Sequence, residues 1–311
     1  MSAFAFNPQD FAFAFLSILF EGIPFVLLGT LLSGIIDAFL PGQVMTRLLP
    51  RNRAAAIAVS GLLGLVLPMC ECGIVPVIRR LIRKGLPVSC GIAYMLAAPI
   101  LNPVVALSTF AAFRGQSPEA MTSLRLGIGY LVAVLAAYAV HAFGGPRILR
   151  PGVIGGDRVR RRIDFQIPEP GGAAVAGSNR WAHAVRVAVA DFLDVAVYLV
   201  IGAALASLFN TSVNQEVILP LASSPAAASA AMMGLAAILS LCSTSDAFIA
   251  ATFTAFPAAA KLAFLVFGPM FDFKLLFLYG AVFRKRFVLL LGAGLFLTVW
   301  FLTTLAGKAL P

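Results

Sequence analysis

Six long runs of apolar residues alternate along the sequence with shorter polar segments. A membrane-spanning helix needs about 20 apolar residues. The runs that meet this requirement cover residues 11–39, 86–113, 124–143, 185–209, 257–280 and 287–305. We therefore expect six helices that cross a lipid bilayer.

Two further apolar stretches, 54–84 and 226–256, are each interrupted by a polar segment that contains cysteine. The first break reads Pro68-Met69-Cys70-Glu71-Cys72-Gly73, and the second reads Cys242-Ser243-Thr244-Ser245-Asp246. At about 1.5 Å per residue, the limb from Ile74 to Lys84 is about 16 Å long, which is too short for about 30 Å of hydrocarbon. A re-entrant hairpin also places the basic residues on both sides of the first break in the cytoplasm, as the positive-inside tendency favours.

The predicted fold is therefore an all-α polytopic membrane protein with six crossings and two re-entrant, broken helical hairpins. Eight transmembrane helices, two of them broken, are the alternative. In this topology Arg114, Arg125 and Lys308 lie outside the cell. Lys261 and Lys274 lie within the apolar run 257–280, and we expect their long side chains to extend to the membrane interface.

The composition supports this prediction and removes other classes. Of 311 residues, 60% are hydrophobic and only 12% are charged, which excludes a water-soluble globular domain. The net charge of +10 fits cytoplasmic loops of a membrane protein better than a nucleic-acid partner. We expect a multi-pass protein of the bacterial inner membrane.

The second half of the sequence echoes the first at an offset of about 170 residues, the kind of self-similarity that marks an internal repeat. Glu21, Phe25 and Gly29 recur as Asp194, Tyr198 and Gly202, Cys70 matches Cys242, and Asn102 matches Asp272. Each half has three crossings, so the copies have opposite orientations. The predicted domains are a first membrane repeat (1–143), a cytoplasmic basic loop (144–183) and a second, inverted repeat (184–311). Inverted repeats with broken helices are typical of secondary transporters, which bind substrate near the midplane.

The two hairpin tips carry the candidate chemistry. Thiolates bind soft metals, and by analogy trivalent metalloids; the C-x-C spacing lacks the paired C-x-x-C of structural zinc, and cysteine is also a common buried hydrophobe. Ionisable groups at membrane depth favour proton coupling, with helix capping as the structural alternative. The predicted substrate-binding residues are Cys70, Cys72, Cys242, Glu71, Asn102, Ser243 and Ser245, of which the three cysteines are the metal-ligating set. The predicted proton-coupling residues are Glu71, Asp246 and Asp272.

Sequence motifs of nucleotide-driven or hydrolytic chemistry are missing. The sequence contains neither G-x-x-x-x-G-K-[ST], nor G-x-G-x-x-G, nor H-E-x-x-H. We therefore expect neither an enzyme nor a cofactor.

Four segments in this order resemble the ArsP/YraQ-type predicted permeases. They are Cys70–Pro76, Leu96–Pro103, Cys242–Phe248 and Phe267–Lys274. The resemblance covers most of the chain outside the central loop. Family members of known activity export trivalent organoarsenicals, which implies metalloid coordination by the matching Cys70, Cys72 and Cys242. Glu71 between two cysteines shifts the expected preference toward a metal cation.

The predicted function is that of a proton-coupled secondary permease that exports a soft metalloid or metal species by alternating access. Its expected partners are this substrate and the lipid bilayer, and we expect no nucleic-acid partner. Whether the protein forms a homo-oligomer is left open. A transporter of a small sulfur-containing anion, bound by helix N-termini, is one alternative. A non-transporting intramembrane thiol-redox protein is another.

Overall fold

A computed structural model describes residues 8–39, 50, 52–67, 69–143, 148–149, 180–212 and 224–307. Within these ranges the regular structure is helical, apart from an isolated antiparallel bridge between Leu149 and Phe283. The helices are α1 (Pro8–Phe39), α2 (Arg53–Val66), α3 (Ile74–Arg83), α4 (Val88–Ala97), α5 (Pro103–Ala112), α6 (Pro118–Phe143), α7 (Arg180–Ser212), α8 (Pro225–Leu239), α9 (Asp246–Thr252), α10 (Ala258–Phe267), α11 (Phe273–Val282) and α12 (Lys285–Ala306).

Four helices of the described ranges, α1, α6, α7 and α12, are long and apolar enough to cross a membrane. Their outer faces expose large apolar side chains such as Phe20, Leu193 and Leu290. Such faces suit lipid, which cannot pair with polar groups. The chain is therefore an α-helical membrane protein. Helix α1 packs against α7, and α6 packs against α12.

The stretches 86–113 and 257–280, each predicted as one continuous span, are instead pairs of ten-residue helices. The first divides between α4 and α5, where the Asn102 side chain accepts a hydrogen bond from the Val104 N–H and Pro103 starts the new helix. Both features favour a helix start over continuation of the preceding helix. The second divides between α10 and α11, where Asp272 caps α11 in the same way.

The core of the molecule is formed by the short helices α4 and α10. All residues from 89 to 97 and from 259 to 267 are buried. Helix α4 packs against α2 and α6, while α10 packs against α8 and α12. Tyr94 and Tyr279 donate their hydroxyl hydrogens to the backbone carbonyls of Leu67 and Met270. These two carbonyls lie where a helix is interrupted and have a hydrogen-bond donor inside the protein. Backbone groups at membrane depth require such a partner, because lipid offers none.

Both predicted cysteine breaks are present. Helix α2 ends at Val66 and α3 begins at Ile74; α8 ends at Leu239 and α9 begins at Asp246. Helix α3 has ten residues and α9 has seven. At about 1.5 Å per residue, both helices are shorter than a hydrocarbon layer of about 30 Å, so neither can cross it alone.

Helix α1 approaches the first break backbone to backbone. A Cβ atom at Gly29 would overlap the carbonyl oxygen of Gly73, which belongs to the backbone. Only a residue without a side chain permits this approach. The glycine of the predicted acid–aromatic–glycine pattern therefore fixes the distance between α1 and the Cys70–Gly73 segment.

The two tryptophans lie in different helix pairs. The Trp181 ring of α7 packs against Phe39 of α1, with ring centroids 5.0 Å apart. The Trp300 indole N–H of α12 donates to the carbonyl of Ala226 in α8, at 2.9 Å. The division into domains 1–143, 144–183 and 184–311 stays a prediction, and most of the predicted central loop lies outside the described residues.

Candidate functional site

The two cysteine breaks meet in the interior of the protein. Ser243 of the second break donates a hydrogen bond to Glu71 of the first, with 3.4 Å between Ser243 Oγ and Glu71 Oε2. Both residues are buried, at 2% and 1% exposure. Two segments that are 172 residues apart in sequence therefore form one polar site.

Lys274, at the start of α11, is the cation next to Glu71. Its Nζ atom lies 3.3 Å from Glu71 Oε1 and 3.7 Å from Asp272 Oδ2, and it also donates to the carbonyl of Ser240. Its side chain is 5% exposed. The prediction that Lys274 extends to the membrane interface was wrong, because its ammonium group turns inward to two carboxylates.

Arg125 of α6 holds the second break from its other side. Its Nη2 atom lies 3.0 and 2.7 Å from the two carboxylate oxygens of Asp246, and it also donates to the Ser243 carbonyl at 3.0 Å. Its Nη1 atom donates to Thr109 Oγ1 of α5. The side chain is completely buried, so the prediction that Arg125 faces the outside medium was also wrong.

These contacts make one continuous set, which we call the buried charge network. Ser243 connects its two ion pairs, one formed by Glu71 with Lys274 and the other by Asp246 with Arg125. The Ser243 hydroxyl contacts Glu71, and the Ser243 carbonyl contacts Arg125. Its members are Glu71, Arg125, Ser243, Asp246, Asp272 and Lys274. Charged groups in such positions are costly and default to a functional role. Taking ion pairs out of water often costs as much as their attraction returns, so stability alone does not account for the network.

Asp272 is incompletely satisfied within this network. Its Oδ1 atom accepts the Leu275 N–H at 2.6 Å and caps α11. Its Oδ2 atom is buried, has no hydrogen-bond partner among the described residues and lies 3.7 Å from Lys274 Nζ.

The cysteines lie at the edge of the network. Cys70 and Cys72 are buried and interact with each other, and the Cys70 sulfur accepts the Gly73 N–H. Cys242 is also buried, and its sulfur accepts from the Thr244 hydroxyl. All three thiols are free.

No group of three or more His, Cys, Asp or Glu side chains in the described ranges is arranged to hold a metal ion. The predicted metal set of Cys70, Cys72 and Cys242 therefore stays a prediction.

Two predicted binding residues have local contacts instead. Asn102 is half-buried and caps α5 through its hydrogen bond with the Val104 N–H. The Ser245 hydroxyl donates to the carbonyl of Cys242. Both contacts stabilise the chain at a helix start, so their substrate-binding role stays a prediction too.

A second group of charges joins α1, α3 and α7, and we call it the peripheral charge network. Arg80 contacts Asp37 and Asp191 at 3.4 and 2.8 Å, and Arg79 contacts Asp194 at 3.2 Å. Its members are Asp37, Arg79, Arg80, Lys84, His183, Asp191 and Asp194. Exposure varies within this group: the side chain of Asp194 is 59% exposed and that of Asp37 19%, whereas that of Asp191 is 8% exposed.

Arg125 and Lys274 are the functional candidates that sequence reasoning missed. A basic residue inside or at the edge of an apolar run was the available signal, since such residues commonly pair with acids in the interior. Their partners were not visible, because the pairs are 121 and 203 residues apart in sequence.

Comparison with known proteins places the chain in a family. The model of the ArsP_1 predicted permease family matches residues 9–309. The chain belongs to this family. Membership confirms the resemblance drawn from the four sequence segments, and it supports a role in membrane transport rather than in enzymatic catalysis.

Two relatives cover most of the permease. It is 38% identical over 283 residues to UPF0718 protein YcgR of Bacillus subtilis, covering 89% of this chain and 90% of that protein. It is 34% identical over 276 residues to a Streptococcus mutans protein named as a candidate subunit of a two-component membrane permease complex, covering 88% and 87%. No solved structure matches the chain.

Proposed function

We propose that this permease exports a soft metalloid or metal species across the bacterial inner membrane and binds it where the two cysteine breaks meet. The observation that carries the proposal is the direct contact of Glu71 with Ser243 beside buried thiols of both breaks. Thiolates favour soft ions, and irregular backbone at membrane depth is tolerated where it lines a protein-enclosed site.

The proposed mechanism is alternating access between two inverted repeats. Corresponding helices pack in corresponding ways: α2 with α4 and α8 with α10, α4 with α6 and α10 with α12. Each half also sends a short helix to the other half, as α3 contacts α11 and α9 contacts α5. This pattern supports two related halves that move against each other around a shared site.

The re-entrant arrangement of α2 and α3 has a separate test. Single cysteines at Ala54 and Lys84, introduced into a cysteine-free chain, are labelled from one side of sealed vesicles with a membrane-impermeant reagent. Both positions should react from the same side. Labelling from opposite sides contradicts the hairpin.

Proton coupling is proposed for Glu71, Asp246 and Asp272. Asp272 supports this proposal because its Oδ2 atom, alone among the carboxylate oxygens of the buried charge network, is buried without a hydrogen-bond partner among the described residues. Replacing Asp272 with Asn keeps the Oδ1 cap of α11 and removes the ionisable group. Transport by D272N in vesicles should no longer respond to a pH gradient; an unchanged response contradicts this role.

The thiol site is tested in an efflux-deficient host challenged with trivalent arsenicals, antimonials and soft metals, with accumulation measured. The chain should lower the accumulation of at least one of these, and the C70S/C72S variant should abolish the effect. C90S is the matched control, because Cys90 is equally buried but lies on α4 outside both breaks. Unaltered export by C70S/C72S, at equal amounts in the membrane, contradicts the proposal.

Transport of a small sulfur-containing anion is the second candidate, and Lys274 is the observation that favours it. A buried ammonium group beside two breaks is a binding partner for an anion as well as for Glu71. For an anionic substrate, K274Q should abolish transport while C70S/C72S transports normally. The opposite result favours the thiol site.

The intramembrane thiol-redox protein is separated from both by reconstitution. Purified protein in liposomes that moves no tested substrate, yet exchanges electrons with a quinone or a thiol donor, favours the redox alternative. Because one relative is named as part of a two-component complex, we infer that a second polypeptide assists this chain. Reconstitution should therefore be repeated with the chain's own membrane partner.

A further inference from the structure

A cavity of about 740 Å³ lies between α6 and α12, away from both cysteine breaks. Its walls are apolar and include Leu135, Val140, Leu290 and Leu295. Leu135 and Leu290 are 44% and 72% exposed, so the cavity opens on the outer face of the two helices. Cavities of about 300 to 1,000 Å³ with apolar walls and few polar groups are typical of small-ligand sites.

Two arginines line one end of this cavity. Arg284 and Arg286 stand at the start of α12, and both are exposed. Arg284 is held in position by Ile148 and Leu149: its backbone N–H donates to the Ile148 carbonyl and its Nε to the Leu149 carbonyl, at 3.0 and 3.2 Å. In the described part of the chain, neither arginine pairs with a carboxylate.

We propose that this groove is a binding site for one anionic phospholipid. The phosphate binds Arg284 and Arg286, and an acyl chain lies along the apolar wall between α6 and α12. The charge at the mouth and the apolar length behind it match the two parts of such a lipid. Basic pockets between transmembrane helices bind anionic headgroups in this way, and arginine suits phosphate because its planar fork donates two parallel hydrogen bonds.

The position of the arginines distinguishes this site from the general attraction between basic residues and a membrane surface. Lys285 lies between them in sequence and is also exposed, but it is not among the residues that line the cavity. A lipid that recognises the groove must therefore distinguish Arg284 and Arg286 from their neighbour. A merely electrostatic attraction treats all three alike.

The test uses the full chain, purified in detergent and stripped of lipid, with binding measured by native mass spectrometry. Phosphatidylglycerol should bind one molecule per chain, more tightly than phosphatidylcholine with the same acyl chains. R284Q/R286Q should weaken phosphatidylglycerol binding about thirtyfold, which corresponds to about 2 kcal/mol for two basic residues. The matched control R180Q/K285Q removes two exposed charges outside the cavity and should change binding by about twofold or less.

A second pair of variants tests the apolar part. Gly294 lines the cavity, and a Cβ there meets no atom of the described residues within 4 Å, so G294L fills the groove without a clash at its first atom. It should lower phosphatidylglycerol binding, whereas G127L, in equally open space on α6, should not. A phosphatidylglycerol with a photoreactive acyl chain should label residues 135–143 and 290–298.

Four results would overturn the proposal. These are equal binding of phosphatidylglycerol and phosphatidylcholine, an equal loss in the two charge variants, displacement of the lipid by glycerol phosphate without acyl chains, and, when a photocrosslinking amino acid replaces Leu290 in intact cells, crosslinking to a protein instead of lipid. The last result would show that a partner polypeptide occupies the groove.

Discussion

The buried and the peripheral charge networks both link distant parts of the chain, but they do so in different surroundings. The charged side chains of the buried network are at most 5% exposed, and they join loops at the helix breaks. The peripheral network joins the sides of α1, α3 and α7, and its acids reach 59% exposure. The first is isolated from water, whereas the second extends from the buried Asp191 to the exposed Asp194.

This difference separates two uses of charge. A partly exposed ion pair is screened by solvent and contributes about 0 to 1 kcal/mol, so an outer pair such as Arg79–Asp194 mainly orients its helices. A fully buried pair costs about as much as it returns, yet losing one partner is expensive because the other is left uncompensated. The buried network therefore makes the breaks sensitive to any change in its charge.

The largest effect is expected for Arg125. The R125Q variant leaves Asp246 buried without its ionic partner, and the free energy of unfolding in detergent should fall by about 3–5 kcal/mol. The control R114Q removes an exposed arginine and should change stability by less than about 0.5 kcal/mol. The double variant R125Q/D246N should recover part of the loss. If R125Q is as stable as R114Q, the distinction between the networks fails.

A smaller effect is expected where α1 meets the first break. In G29A the new methyl group overlaps the Gly73 carbonyl, so α1 must shift, at a cost of about 1–3 kcal/mol. G127A is the control, because a Cβ at Gly127 meets nothing within 4 Å and alanine favours a helix. Thermal unfolding of both variants measures the difference; equal midpoints would show that α1 is not fixed by this contact.

Two serines allow the networks to be compared through one type of contact. Ser33 donates to Asp191 of the peripheral network at 2.7 Å, and Ser243 donates to Glu71 of the buried network at 3.4 Å. Because shorter bonds to a charged group are stronger, S33A should cost about 1–2 kcal/mol of unfolding free energy and S243A about 1 kcal/mol or less. S243A should reduce transport, while S33A should not. A transport loss only in S33A would reverse the roles assigned to the two networks.

The smallest effect is expected for Asp194. Its side chain is 59% exposed, so D194N should lower the unfolding free energy by at most about 1 kcal/mol. High salt should remove this difference, because exposed charges are screened. A loss that persists at high salt would mean that Asp194 is effectively shielded from the solvent.

The sequence was a good guide to features that are coded locally. The cysteine breaks were predictable, because polar residues such as Glu71 and Asp246 interrupt otherwise apolar runs. The breaks within 86–113 and 257–280 were missed because most of their residues are apolar. Asn102 directly before Pro103 was the usable signal, as a capping residue followed by proline marks a helix start.

Contacts between distant residues were beyond the reach of sequence reasoning. Glu71 was a candidate from its depth in the membrane, but nothing local pairs it with Lys274, 203 residues away. Arg125 was counted with the external charges because it stands near the start of its apolar run. Which charges meet depends on how the short helices pack, and that is decided by the whole core.

The separate positions of the two tryptophans provide a built-in optical reporter. Trp181 packs against Phe39, whereas Trp300 bonds to Ala226, so replacing either one by phenylalanine leaves emission from a single, known helix pair. In W300F the fluorescence comes from Trp181 and reports on the contact between α1 and α7. In W181F it comes from Trp300 and reports on the contact between α8 and α12. A change in the packing of either helix pair can thus be followed as a spectral shift, without attaching a dye.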